Sequence, residues 1–244
     1  MCRMFAVRSR SPVSVSDAIE GLRRLAVEHK DGWGICRFDS GAPELEMGLK
    51  PAHVSPAFER HGTVEAANLL AHIRLASVGD VHERNLHPFH GRGWVFMHNG
   101  TLRRFAEARE TFDRRIDPEL RRTLRGETDS ERCFALFLTL LGDRRDLPSV
   151  TRAVAGVMRF CESTCDAGLR PGEKRSAMNF MVSDGRVLVA TRRDRTLYRA
   201  TRGATHFVAS EQLWNDEWHE VAQDGVVTID EQCALTVSTL ADWS

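Results

Sequence analysis

From Asp129 to Leu141 the chain is apolar on almost every side of a helical wheel, with Cys133, Phe134, Leu136, Phe137, Leu138, Leu140 and Leu141 spread around it. A helix with one apolar stripe can lie on a surface, but one that is apolar all round has to be buried. This stretch is therefore expected as a buried helix, and the rest of the chain has to supply what covers it. The neighbouring pattern reads mainly as strands. Arg3–Arg8, Ile35–Phe38, Leu69–Arg74 and Trp94–His98 precede the helix. Asn179–Val182, Val187–Thr191, His206–Ala209, Val226–Ile229 and Ala234–Val237 follow it, with a hairpin signal at Asp184-Gly185.

Two further helices are expected. One is capped by Ser16 or Asp17 and carries Ala18, Ile19, Leu22, Leu25 and Ala26 on one face. The other runs over Val150–Cys161. Asp31-Gly32-Trp33-Gly34 reads as a turn, and the densely charged stretch Asp113–Arg125 as a solvated helix or loop. Strands, then helices, then strands imply an α+β protein rather than a parallel βαβ series. No repeat or low-complexity linker divides it, so one domain over residues 2–244 is expected.

Charge narrows the partners. Lys+Arg and Asp+Glu balance at 34 each, so the chain as a whole has no polyelectrolyte character that points to nucleic acid or an anionic membrane. The local run Arg192, Arg193, Arg195, Arg199 and Arg202 is read as solvated surface. No apolar segment has the length of a membrane span, and Arg3, Arg8 and Arg10 are not followed by a signal-type apolar run. The six cysteines (Cys2, Cys36, Cys133, Cys161, Cys165 and Cys233) form no CxxC pair and are read as reduced thiols of a cytoplasmic protein.

Chemistry concentrates at a few places. Cys2 follows the initiator Met1, which is removed when the next side chain is small. Removal would leave a thiol beside its own α-amine, and both groups titrate near neutral pH. A thiol with an adjacent base is an activated nucleophile. His98-Asn99-Gly100 closes an apolar strand with an amide side chain and an approachable backbone N–H, one composition of an oxyanion hole. Ala71-His72-Ile73-Arg74-Leu75-Ala76-Ser77 ends another strand with an Arg, whose planar fork suits a carboxylate. Thr128 can cap the buried helix with Glu131 completing a capping box, which would fix the direction of Asp129. His72, His82, His87, His90 and His98 lack a spacing such as HExxH, so no metal site is expected and they read as loop and packing histidines.

Taken together and in this order, Cys2, His29-Lys30-Asp31-Gly32-Trp33-Gly34, Ala71-His72-Ile73-Arg74, His87-Pro88-Phe89, His98-Asn99-Gly100 and Thr128-Asp129-Ser130-Glu131 resemble the class II glutamine amidotransferases. These are N-terminal nucleophile hydrolases, and the resemblance is greatest to their stand-alone YafJ-like branch. It runs over roughly residues 2–135 and continues more loosely through Asn179–Arg192 and Val208-Ala209-Ser210-Glu211. The resemblance implies a four-layer αββα sandwich with Cys2 at the end of a central strand. It implies that Cys2 attacks the side-chain amide of glutamine, giving a thioester and ammonia, with its own α-amine shuttling the proton. Asn99 and the Gly100 N–H would hold the oxyanion. Arg74, helped by Ser77, would take the substrate α-carboxylate, and Asp129 its α-ammonium. His98 is counted with the substrate-binding residues, and no cofactor is implied.

Two departures bear on the substrate. Val78 stands where amidotransferases with a fused synthase have a second polar residue. The amidotransferase-like part also accounts for essentially all 244 residues, leaving no synthase domain. Either a synthase partner accepts the ammonia, or the reaction is hydrolysis of glutamine or another γ-glutamyl compound. The related branch acting on a γ-glutamyl intermediate of ergothioneine synthesis is one alternative. A non-catalytic sensor or scaffold is another, although it would have no need of Cys2, Arg74, Asn99 and Asp129 together.

Overall fold

The computed structural model describes residues 2–170, 172–215 and 217–243. Met1, and with it the expected removal of that residue, lies outside them. The chain opens with β1 (Arg3–Ser14), α1 (Ser16–Leu25), β2 (Trp33–Arg37), β3 (Glu44–Gly48), α2 (Pro56–Arg60) and β4 (Glu65–Ile73). The short β5 (Phe89–Gly91) and β6 (Trp94–Thr101) lead into four helices, α3 (Phe105–Arg115), α4 (Pro118–Arg122), α5 (Asp129–Leu141) and α6 (Leu147–Cys165). The last third is β7 (Ala177–Ser183), β8 (Leu188–Thr191), β9 (Tyr198–Arg202), β10 (Thr205–Ala209), β11 (His219–Glu220), β12 (Gly225–Ile229) and β13 (Leu235–Thr239).

The strands form two antiparallel sheets. One has the order β11-β9-β10-β1-β4-β2-β3 and the other β13-β12-β8-β7-β6-β5. Strand alternation sends successive side chains to opposite faces, and this divides the core into three. Phe5 and Val7 of β1 pack with Ala18, Ile19 and Leu22 of α1 on the outer face of the first sheet. Met4 and Ala6 face the other way, meeting Val95, Met97 and Met181 of the second sheet. Trp94, Phe96 and Phe180 turn outward again onto α5 and α6. The layering is therefore αββα. The second sheet on one side and α6 on the other explain why α5 needs no polar face; Leu136 and Phe137 are fully buried.

Several boundaries differ from the sequence expectation. The strand expected from Ile35 begins at Trp33, so Trp33 and Gly34 belong to β2 and not to a turn. The helix α6 starts earlier than Val150, because the Asp146 side chain accepts from the Ser149 N–H and Pro148 occupies its first turn. The charged stretch 113–125 is not wholly solvated. Ile116 and Leu120 are buried, and Asp117 caps α4 by accepting from the Glu119 and Leu120 N–H groups. Likewise Arg193 in the basic run is buried, paired with Asp224 at 2.6 Å and Glu162 at 3.1 Å. Among the described residues no helix is long and apolar enough to cross a membrane.

One end of the sandwich gathers the residues singled out above. β1 begins there and β4 ends there, with Arg3 opposite Ile73. In the second sheet β6 ends and β7 begins at the same end, with Thr101 opposite Ala177. A 2.8 Å hydrogen bond between the Ser77 and Thr101 hydroxyls joins the two strand ends.

Candidate active site

Cys2 immediately precedes β1 and alternates with Met4, so its side chain belongs to the layer between the sheets. Its Sγ accepts from the Leu75 N–H at 3.4 Å. Burial of the sulfur pushes the thiol pKa up; the Leu75 N–H and the Arg74 charge oppose that shift. Loss of solvent is thus the larger influence, and a proton acceptor close to the sulfur is needed to generate thiolate.

The segment after β4 folds over this thiol and is held by groups from both sides. Arg74 is buried, with Nη1 donating to the Asp80 carbonyl at 3.0 Å and Nη2 to the Val78 and Gly79 carbonyls at 3.1 and 3.3 Å. These contacts use three of the five guanidinium N–H groups. The Arg74 fork therefore shapes the 75–80 loop. Asp31 fastens the start of the loop, its Oδ2 accepting from the Ala76 N–H at 2.7 Å. The backbone of Asp31 and Gly32 also pairs with that of Arg74. Gly32 has φ +103°, and a Cβ there would lie 2.7 Å from the Gly48 carbonyl oxygen, so only glycine fits. This anchoring role of Asp31 was not assigned from sequence, although the Asp-Gly pair signalled a constrained turn.

Asn99 faces the thiol's layer from the other sheet, alternating on β6 with Val95 and Met97. Its Oδ1 is buried without a hydrogen-bond partner. At Gly100 a Cβ would come within 2.0 Å of the Ala177 carbonyl oxygen, so any side chain would push β6 away from β7. Ser77 is tied to Thr101, whose hydroxyl also donates to the Gly100 carbonyl at 2.8 Å.

Asp129 opens α5 and is buried. Its Oδ2 accepts from the Leu102 N–H at 2.8 Å and its Oδ1 from the Ser130 N–H at 2.8 Å. Thr128 caps the helix, its hydroxyl accepting from the Glu131 N–H at 3.2 Å. The Glu131 carboxylate does not close the expected capping box. It instead accepts from the Arg125 and Gly126 N–H groups at 2.7 and 2.9 Å.

His98 departs from the sequence expectation. It alternates with Trp94 and Phe96, so it points to the helix layer and away from Cys2. Nε2 donates to the Ala177 carbonyl at 2.9 Å, and Nδ1 lies 2.9 Å from the Ser130 hydroxyl oxygen. Burial lowers its pKa and the Asp129 charge partly restores it. With both nitrogens engaged on the face turned away from Cys2, His98 braces Ser130 and Ala177. His72 and His87 are also buried, with rings stacked at 4.4 Å and no hydrogen-bond partner on any of their four ring nitrogens. Among the described residues, no three His, Cys, Asp or Glu side chains are grouped to hold a metal ion.

Beside this end of β6 lies a hollow of about 400 Å³ lined by Thr101, Leu102, Arg103, Lys174, Arg175 and Arg195, with Glu173 and Ala177. It adjoins Leu102, whose N–H holds Asp129.

The chain resembles known proteins over nearly its whole length. A Haemophilus influenzae protein assigned to the glutamine amidotransferases is 26% identical over 239 residues, covering 93% of this chain and 76% of its own. Escherichia coli YafJ, assigned likewise, is 29% identical over 199 residues, covering 78% of this chain and 72% of its own. A class-II glutamine aminotransferase domain protein of Silicibacter pomeroyi shares the fold, with a TM-score of 0.70 at 24% identity over 98% of this chain and 99% of that one. The family model of the class-II glutamine amidotransferases matches residues 1–242. With the two-sheet architecture and the strand-end cluster around Cys2, that match places this chain among the class-II glutamine amidotransferases.

Proposed function

We propose that Cys2, once it is the first residue, attacks the side-chain amide carbon of glutamine or a related γ-glutamyl amide. The sulfur–carbon bond forms as the carbon–nitrogen bond breaks, and the Cys2 α-amine carries the thiol proton to the departing nitrogen. Ammonia or an amine leaves, and water then cleaves the thioester to give glutamate. The Asn99 amide and the Gly100 N–H stabilise the oxyanion. Arg74, with Ser77, takes the α-carboxylate, and Asp129 the α-ammonium. The observation that carries this reading is the placement of Cys2 and Asn99. They come from different sheets, face one layer at one end of the sandwich, and lie beneath a loop held by Arg74 and Asp31.

A half-buried thiol with a raised pKa suits a mechanism that supplies its own base. The test is direct. Cys2→Ala should abolish glutamine hydrolysis while leaving the unfolding transition close to wild type. A glutamine-like diazoketone should label Cys2 alone of the six cysteines. Mapping of the label to Cys36 or Cys133 would overturn the assignment. A chain that keeps Met1 should be inactive, because the base is then an amide nitrogen.

The hollow beside Leu102 supports a second reading. Its lining holds four cationic side chains against one carboxylate, although Arg103 pairs with Glu173, Arg175 with Glu162 and Arg195 with Asp194. Such a surface suits a γ-glutamyl substrate with an additional carboxylate. Comparing kcat/KM for free glutamine and for a γ-glutamyl dipeptide separates the two readings. Where the ammonia is passed on, a synthase partner would accept it.

A further inference from the structure

The proposed nucleophile and oxyanion donors lie in different sheets. Their separation is set by whatever fastens one sheet to the other. Most of the layer between them is apolar, with Met4, Ala6, Leu70, Met97, Met181 and Val208 in contact across it. Apolar burial is non-directional and fixes sliding only loosely. At the catalytic end polar groups also cross this layer: the Ser77 and Thr101 hydroxyls meet at its rim, and a second, more extended connection is centred on Asn179.

Asn179 is fully buried in β7 and lies directly opposite Asn99. Side chains directly opposite on an antiparallel pair share a face, with Cβ atoms about 4.5–5.5 Å apart. The two amides are therefore neighbours in the layer that also receives Cys2. Their surroundings differ. The Asn99 oxygen has no partner, so nothing but packing orients it. Every side of the Asn179 amide is engaged: Oδ1 accepts from the Arg193 N–H at 2.7 Å, and Nδ2 donates to the Arg195 and Thr196 carbonyls at 3.1 and 3.0 Å. One N–H and two carbonyls leave only one orientation of the amide. They also wrap the 193–196 turn, in which Asp194 has φ +74°, around this side chain.

The connection then crosses to the first sheet. The Thr196 hydroxyl donates to the Ser210 carbonyl at 2.7 Å. The Ser210 N–H donates to the Met4 carbonyl at 3.0 Å, and the Met4 N–H donates to the Ser210 hydroxyl at 3.0 Å. An unbroken set of hydrogen bonds thus runs from the neighbour of Asn99 to the residue two beyond Cys2.

We propose that Asn179 is a positioning residue that, through Thr196 and Ser210, sets the distance between the Cys2 thiol and the Asn99–Gly100 oxyanion site. This inference rests on the roles proposed above for Cys2 and Asn99. Loss of glutamine hydrolysis in Cys2→Ala and Asn99→Ala tests those roles independently.

Misplacing a reacting group by an ångström costs about 10²-fold. In Asn179→Ala, kcat should therefore fall about 10- to 100-fold with KM unchanged. Because Asn99 supplies part of the site whose distance Asn179 sets, the double variant Asn99→Ala/Asn179→Ala should lose less than the product of the two single losses. Alkylation of Cys2 by iodoacetamide needs a thiolate but no oxyanion hole, so its rate in Asn179→Ala should match wild type. An unchanged kcat in folded Asn179→Ala would overturn the proposal. So would effects that multiply in the double variant, or alkylation that slows in step with kcat. Should Asn179→Ala fail to fold, Thr196→Val keeps the side-chain shape, removes only the hydroxyl bridge, and decides by the same three readouts.

Discussion

Acid stability tests the physical state of the buried His72–His87 pair. Burial between the sheets, together with the Arg74 charge, depresses His72 to about 3 and His87 well below the ordinary histidine value. An unfolded histidine takes up its proton near about 6.5. Between these values the unfolded chain binds protons that the folded chain refuses. Stability contributed by the pair is therefore fully present above the unfolded value and is lost as pH falls from there toward about 3. One pKa unit corresponds to about 1.36 kcal/mol, so moving from about pH 7.5 to about pH 5.5 should cost roughly 1.4 kcal/mol for each histidine. For both, the loss is roughly 2.5–3 kcal/mol. Urea unfolding at the two pH values gives this number directly. Other groups also titrate, so the comparison is with His72→Phe/His87→Phe, which keeps two stacked rings and cannot take the protons. Its own stability at neutral pH is immaterial; what counts is that its acid loss is smaller than wild type by that amount. Equal acid losses in the two proteins would show that the histidines titrate normally inside the fold. The inter-sheet layer would then be wetter than its packing implies.

Other expectations are read from activity. Asn99→Ala should lower kcat by about 10²–10³ with little change in KM, because an oxyanion donor acts on charge present only in the transition state; a raised KM with kcat intact would make Asn99 a ground-state binder. If Asp129 holds the α-ammonium, acylating the substrate amine should sharply reduce kcat/KM in wild type and reduce it little further in Asp129→Ala. Equal rates for free and acylated substrate in wild type would leave Asp129 only its contacts with Leu102 and Ser130. Gly100→Ala should be both less stable and nearly inactive, since its Cβ would meet the Ala177 carbonyl at 2.0 Å; a soluble, active Gly100→Ala would mean that β6 and β7 can separate there without loss.

Much of the layout was legible from local pattern. The buried helix was expected at the bounds it has, because its apolar residues circle the axis and Thr128 marks its start. The strand that leads into Arg74 and the one that runs on through Asn99 were legible because each is an apolar run with polar residues at its end, although the first stops at Ile73 and the second extends to Thr101. What local pattern left out was mostly paid for by partners distant in sequence. Arg193 looks solvated within a run of arginines, and only Glu162 and Asp224, both 31 residues away, make its burial tolerable. Asp31 gave no sign that its carboxylate would hold the Ala76 N–H, 45 residues on. The three-residue β5 and two-residue β11 are too short to carry a pattern of their own and exist as edges paired to longer strands.

The triplet His98-Asn99-Gly100 shows why motif and geometry have to be read together. As a motif it suggests one cluster of polar groups around one ligand. On a strand, consecutive side chains cannot face the same way. Met97 points between the sheets, so Asn99 points there too, while His98 lies with Phe96 and Phe180 against α5. The same strand thereby supplies two layers. On the inner face it offers an amide to the layer that holds Cys2. On the outer face it offers an imidazole to Ser130, whose N–H and hydroxyl both contact Asp129. His98 thus reaches the proposed site through Asp129, with the sheet backbone between itself and the thiol. A substitution such as His98→Asn should then disturb the residue expected to bind the ammonium more than the one expected to bind the oxyanion. That predicts a rise in KM larger than the fall in kcat, the reverse of the pattern expected for Asn99→Ala. The reverse result would place His98 functionally on the inner face and contradict the register of β6.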